Sequence, residues 1–191
     1  MAGGECDKLQ AGTVVTVRDF EGSKPQIAQS AYVDETALVI GDVTLEDDVS
    51  LWPGVVARGD VNSIVVGAGT NIQDGTILHV SHDSEFAPGG FALSIGSGIT
   101  VGHQSILHGC TIGDRCLIGM AATVMDGAVI ESGAIIGAGS LVPPGRTLEG
   151  GFLWVGSPAR RARALRPEEE GFLDYSAAHY VELKNRHLAG A

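Results

Sequence analysis

Aliphatic residues return at every sixth position over long stretches of the chain, and that period decides the fold class. Val33, Val39, Leu45 and Leu51 are each followed four places on by a small or β-branched residue: Ala37, Val43, Val49 and Val55. After a three-residue insertion near Ser63 to Val65, the pattern resumes at Val66, Ile72 and Leu78, with Thr70 and Thr76 in the small slot. A second excursion, roughly Asp83 to Ser94, precedes Ile95 and Val101, and a one-residue deletion then sets the next repeat at Ile106. From there the aliphatics run on through Ile112, Ile118, Val124, Ile130, Ile136 and Val142. Their small-slot companions are Cys110, Cys116, Ala122, Ala128, Ala134 and Ser140.

A period of six matches neither a helical stripe of 3.6 nor hairpins with turn signals ~8 to 12 residues apart. It predicts a parallel β-helix. Each hexapeptide supplies one short strand and one corner, three make a triangular coil, and residues about 18 apart stack at the ~4.8 Å inter-strand spacing. The glycines after the aliphatics (Gly96, Gly102, Gly113, Gly119, Gly137) and those at Gly127, Gly133 and Gly139 are all expected at strained corners. Gly67-Ala-Gly69 and Gly137-Ala-Gly139 lack the further glycine and the βαβ context of a dinucleotide fingerprint.

The pattern ends after Val155. Arg160 to Arg166 is basic and is expected to be a solvated connector. Pro167 followed by Glu168, Glu169 and Glu170 is a helix start, with acids at the positive end of the dipole. The helix is expected over about 167–188, with Leu173, Ala177, Tyr180, Val181 and Leu188 forming one face against the coil flank or a neighbouring subunit. With about 12–155 as β-helix, residues 1–191 make a single domain.

Composition narrows the function. The formal net charge of −11 repels phosphate backbones and anionic lipid, so nucleic acid is not an expected partner. Gly is 28 of 191 residues without a G-X-Y period, which excludes collagen and agrees with many tight turns. Met1 to Gln10 has no signal-type apolar region, and no apolar run reaches bilayer length; no membrane association and a cytoplasmic location are expected. Cys6, Cys110 and Cys116 make an odd count with no CxxC, which argues against a disulfide framework or a zinc ribbon.

Three histidines occupy outward slots in the middle coils. Counting repeats puts His108 one full coil above His79, and His103 on the preceding face of the triangle. The same count places Arg58 and Asp60 beneath His79, and Gln73 and Asp74 beneath His103. One chain cannot easily bring all three imidazoles within ~2.0 to 2.1 Å of one ion. A homotrimer with its axis along the coils closes the site, His103 of one subunit facing His79 and His108 of the next. Three neutral imidazoles with an open fourth position suit a catalytic metal, zinc by default, with ferrous or cobaltous ions as alternatives. The plainer alternative is a set of interface hydrogen bonds without metal. His82 falls where the coil departs into a loop and is taken as structural or as a proton carrier. His179 and His187 are taken as surface residues. Arg58-Gly59-Asp60 as an adhesion tripeptide is disfavoured, because a rigid interface would hide it.

These residues resemble the gamma-class carbonic anhydrase family, particularly its compact bacterial branch. The matching segments are Arg58-Gly-Asp60, Asn71-Ile-Gln73-Asp74-Gly75, Leu78-His79, Val101-Gly-His103, Leu107-His108-Gly109-Cys110, Gly156-Ser-Pro158-Ala159 and Tyr175-Ser-Ala177, spread over nearly the whole chain. The resemblance implies a left-handed parallel β-helix, a trimer with three interfacial sites, zinc or iron on His79, His103 and His108, and hydration of carbon dioxide to bicarbonate. It further implies that Gln73 and Asp74 orient water or bicarbonate and that Arg58 and Asp60 form an ion pair between subunits. Two features depart from the family pattern. Val61 follows Asp60 where the prototype has a glutamate, and the prototype's acidic loop is replaced by Val80 to Phe91, where only His82, Asp83 and Glu85 can relay protons. A metal-binding relative acting on another small carbonyl, thioester or ester, a coenzyme A-dependent acyltransferase with a histidine base, and a noncatalytic scaffold are the alternatives.

Overall fold

The computed structural model describes residues 16–190, so Cys6 and the expected start near residue 12 lie outside the described residues. Short parallel strands wind into a β-helix of three faces. The first face stacks Ile77–His79, Ile106–His108, Thr123–Val124 and Leu141–Val142. The second stacks Leu93–Ile95, Thr111–Ile112, Val129–Ile130 and Thr147–Leu148. The third runs from Tyr32–Val33 through Ser50–Leu51, Asn71–Ile72, Thr100–Val101, Leu117–Ile118 and Ile135–Ile136 to Phe152–Val155. Strands Leu38–Leu45 and Val56–Val66 cross a corner and join the first two faces into one sheet.

The interior is built from vertical columns. On the third face Val33, Leu51, Ile72, Val101, Ile118, Ile136 and Trp154 pair in register, one per coil. Burying each such aliphatic contributes roughly 1.5 to 3 kcal/mol, so the repeat is its own stabilising unit. The small slots are interior too: Thr70, Thr76, Cys110, Cys116, Ala122, Ala128, Ala134 and Ser140 are buried. Burial pushes the Cys110 thiol up to about 12 and the Cys116 thiol up to about 11, which leaves both as inert packing groups.

The columns correct the register in two places. Leu107, not Ile106, is the interior residue: it is fully buried and pairs with Leu78, whereas Ile106 points outward and is 42% exposed. The one-residue deletion therefore falls after Leu107, at the corner leading to Cys110. The insertion lies earlier than Ser63 to Val65: Gly41 pairs with Gly59 but Val43 pairs with Ile64, so the extra residues bulge at Asp60 to Ser63. In both cases adjacent aliphatics, Ile106-Leu107 and Ile64-Val65-Val66, made the sixfold count ambiguous by a residue or more.

The glycines divide into two kinds rather than one. Gly127, Gly133 and Gly139 do adopt positive φ (66°, 74° and 66°) at corners. Gly96, Gly102, Gly113, Gly119 and Gly137 are absent from the positive-φ set; they stand where the next coil passes too close for a side chain. A Cβ on Gly119 would sit 2.5 Å from the Ala138 nitrogen and 2.8 Å from the Ile136 oxygen.

The tail also differs. Arg160–Ala164 is not a solvated connector but a strand, antiparallel to Phe152–Val155. Its arginines are engaged: Arg161 lies over the Phe152 ring and binds Glu149, and Arg163 forks onto Glu169. Helix α1 runs over Pro167–Gly190, two residues beyond the expected end. Glu169 accepts from the Arg166 backbone N–H, closing the first turn as a capping box does. The buried face of α1 is Leu173, Ser176, Ala177 and Lys184, while Leu188 is 47% exposed. Polar groups replace part of the expected apolar stripe because each meets a partner on the coil: Ser176 Oγ is 2.9 Å from Thr100 Oγ1, and Lys184 Nζ is 2.7 Å from Asp48. His179 and His187 are exposed, as expected, and His187 also packs edge-on against Trp52 with ring centres 5.1 Å apart.

Candidate active site

Two half-sites occupy adjacent faces. His79 and His108 each end a strand of the first face, and those strands pair with His79 directly beneath His108. Because strand side chains alternate, the outward slot that follows buried Leu78 and Leu107 aims both rings the same way. His79 Nδ1 and His108 Nε2 are 3.0 Å apart. Below them, the bulge carries Asp60 toward His79. Arg58 Nη1 donates to Asp60 Oδ2 at 2.6 Å, and Asp60 Oδ1 stands 3.4 Å from His79 Nε2. Burial opposes ionisation of Asp60, but the Arg58 hydrogen bond and charge hold its carboxyl below the usual range. Burial, then the charges of Arg58 and His108, lower the pKa of His79 despite Asp60.

The second half-site follows the third face. His103 Nδ1 is 2.8 Å from Asp74 Oδ2, one coil below. Gln73 is buried and donates to Asn71 Oδ1, itself tied to Thr100 and through it to Ser176 of α1. A cavity of about 470 Å³ opens beside His103 and Gln73 between the coil and α1, with Met120, Ile136, Phe172 and Tyr180 among its apolar walls.

The pairing of imidazoles with carboxylates sets what the site can do. A carboxylate only accepts, so Asp74 favours the proton on His103 Nδ1, and Asp60 favours it on His79 Nε2. His108 Nδ1 likewise lies 2.7 Å from an Asp126 carboxylate oxygen. With protons so placed, the free nitrogens are His79 Nδ1, His103 Nε2 and His108 Nε2, each backed by an acid in the manner of histidine metal ligands. The first and third of these lone pairs then face each other at 3.0 Å, which is unfavourable unless a cation lies against both. Two nitrogen ligands of a tetrahedral ion at ~2.0 to 2.1 Å stand about 3.3 Å apart, close to the observed separation. Asp60 Oδ1 and His79 Nε2 are both buried, and their 3.4 Å contact falls short of a formed hydrogen bond, so this is the loosest of the three carboxylate–imidazole pairs. The donor set therefore fits a divalent ion. Among the described residues of one chain, no three His, Cys, Asp or Glu side chains converge to hold one; His79 and His108 come together, and His103 does not join them.

Asp126 was not anticipated from the sequence. It lies one coil above Gly109, beside His108, while the register puts Met125 over the imidazole itself. Which side chain of the coil above reaches the ring depends on side-chain direction at the corner, which the repeat does not specify. Of the expected loop residues, His82, Asp83 and Glu85 are exposed, as is Val61 at the bulge. Instead Ser81, at the root of the loop, reaches the site by donating to Asp126.

Comparison with known proteins agrees with this architecture. Residues 109–144 match the family model described as bacterial transferase hexapeptide (six repeats). The chain is 51% identical to Protein YrdA of Escherichia coli over 90% of its length and 94% of that protein. It is 42% identical to "Gamma carbonic anhydrase 1, mitochondrial" of Arabidopsis thaliana, over 91% of this chain and 63% of that one. A "Probable carbonic anhydrase" of Methanocaldococcus jannaschii is 41% identical over 82% of this chain and 94% of its own. Among solved structures, a putative acetyltransferase of Bacillus cereus superposes with a TM-score of 0.86 at 35% identity, covering 92% of this chain and 98% of that one. Hexapeptide coils, paired imidazoles on one face and identities above 40% to carbonic anhydrases together place the chain in the gamma carbonic anhydrase family of hexapeptide-repeat proteins.

Proposed function

We propose that the protein is a metal-dependent hydratase of carbon dioxide whose sites form between subunits of a homotrimer, with His79 and His108 from one subunit and His103 from the next. The observation that carries this is the carboxylate behind each imidazole, which leaves one free nitrogen per ring aimed away from its acid. When bound, a divalent ion, zinc first and ferrous or cobaltous iron-group ions next, supplies Lewis acidity where water meets carbon dioxide. Asp74 Oδ2 holds the His103 ring by its Nδ1 proton. Gln73, fixed by Asn71, presents its amide beside His103 to orient water or bicarbonate. Arg58, paired with Asp60 and partly exposed, is the group in reach for the bicarbonate anion. Protons leave through the exposed loop, where His82, Asp83 and Glu85 stand in solvent. Outward-facing Ile77, Ile106 and Met125 on the first face, and Met120 beside His103, supply the apolar surface a subunit contact needs.

The test is His103→Ala in protein purified without chelator, read by elemental analysis, a hydration assay and melting. The expected result is loss of metal and hydration at all three sites with the coil intact, because the interior columns do not include His103. Full metal occupancy in the variant would overturn the shared site. A second function, acyl transfer from coenzyme A, is favoured by the apolar cavity beside His103 and by the likeness to the Bacillus cereus protein. Thermal stabilisation by coenzyme A in metal-free protein would support it. A metal-loaded protein that leaves carbon dioxide unreacted but turns over small esters would point to the remaining alternative.

A further inference from the structure

The geometry points to Asp126 as the residue that positions His108, fixing its ring orientation and tautomer so that Nε2 is the ligating nitrogen. This role rests on the metal-site function proposed above. Asp126 Oδ1 lies 2.7 Å from His108 Nδ1 and 3.2 Å from the Ser81 hydroxyl, so one oxygen accepts from both. The local backbone is arranged for that reach. Gly127 N donates to the Gly109 carbonyl at 2.7 Å, which sets Asp126 directly over Gly109. Gly109 has φ of 52°, and a Cβ there would run into Asp126 Oδ1 and stand 2.6 Å from Phe91 Cβ. Any side chain at 109 would push the carboxylate off His108.

Ser81 is pinned in turn. Its backbone exchanges two 3.0 Å hydrogen bonds with Phe91, and its carbonyl accepts from Asn62 Nδ2 at 3.1 Å. The Phe91 ring lies across Gly127. The loop root, the bulge and the next coil thus converge on one carboxylate, whose partner ring has its second nitrogen 3.0 Å from His79. Removing an acid that orients a metal-bound histidine typically costs 10 to 100-fold in metal affinity.

The experiment compares the parent protein with Asp126→Ala and Asp126→Asn. Zinc affinity is measured by competition with a chromophoric chelator, and the His108 tautomer of the metal-free protein by imidazole nitrogen NMR. The expected result is an affinity loss of roughly 10 to 100-fold for Asp126→Ala, an intermediate loss for Asp126→Asn, and an Nδ1–H tautomer in the parent that Asp126→Ala no longer holds. Melting of the metal-free variants separates this from unfolding, and Asp126→Asn, which keeps an acceptor of the same shape, carries the test if the alanine variant does not fold. Unchanged zinc affinity and an unchanged tautomer in folded Asp126→Ala would overturn the role of Asp126 alone. A parent protein with no zinc affinity would overturn the metal site and, with it, this role.

Discussion

Individual residues in this chain are constrained chiefly by the coil above and the coil below. Gly119 shows it most simply. Its neighbours within reach of a Cβ are backbone atoms of Gly137, Ala138 and Ile136, which cannot rotate away. Gly119→Ala is expected to destabilise by about 1 to 3 kcal/mol, as overpacking does. Gly139, with φ of 66° and open space around it, answers to a different rule. There Asn should be tolerated better than Ala, since its short polar side chain accepts left-handed backbone. Chemical denaturation of the three variants checks both statements; an undisturbed Gly119→Ala would mean the coils can separate at that corner. The structure already places Asp48, Gln104, Arg115 and Ala121 at positive φ in the corresponding corner slot, so glycine there is a preference and not a requirement. Composition alone could not separate these two uses of one residue type, because both recur with the same period.

At the scale of the element, α1 is held by polar anchors as well as by an apolar face. Lys184 is 1% exposed and its ammonium meets Asp48 at 2.7 Å and Asn185 at 2.6 Å. Lys184→Ala removes both the packed stem and the pair, and is expected to cost about 1 to 3 kcal/mol, less than a wholly buried pair because Asp48 remains half in water. Lys184→Met, which refills the volume, should recover much of that loss. Urea melts followed by Trp fluorescence report on the same event, since Trp52 lies under Tyr180 and His187 of the helix. At the other end, Arg115 grips Asp174 and Arg163 grips Glu169, both carboxyls held below their usual range by the guanidinium hydrogen bonds. A lowered carboxylate pKa contributes stability above the unfolded value that is lost as pH falls through the folded one, so docking of the first helical turns should weaken in acid. The helix itself was legible from Pro167 and the three glutamates. Of its buried face Leu173 and Ala177 were legible too, whereas Ser176 and Lys184 were not, because a buried serine and lysine read as solvent-facing until the coil's Thr100 and Asp48 are known to lie beneath them.

For the whole molecule, the sixfold period carried most of the fold: strand positions, interior columns and the stacking of His79 under His108 all follow from counting. Counting failed where two aliphatics adjoin, and it could not say which ring nitrogen faces which acid, since that depends on side-chain direction. The outward ridge of Ile77, Ile106 and Met125 belongs to this scale, because nothing among the described residues covers it. Ile106→Glu should leave the coil folded, since Leu107 and not Ile106 fills the interior. It should also shift sedimentation toward single subunits and lower metal content in parallel. A variant that sediments as a trimer and keeps its metal would show that this ridge is not the contact between subunits.

The end of the coil has its own consequence. A stack of parallel rungs offers open backbone donors and acceptors at its last layer, a template on which further chains could add without limit. Here the chain turns back: Arg160–Ala164 runs antiparallel along Phe152–Val155, and Gly156 and Ala159 exchange hydrogen bonds with Leu141 on the neighbouring face. The reversed strand is antiparallel, so a second molecule approaching end-on meets the wrong strand polarity, with Arg161 and Arg163 held across it by Glu149 and Glu169. The same segment that departs from the repeat closes the last rung on two of its three faces, and its removal is expected to leave an edge on which rungs of other molecules could add.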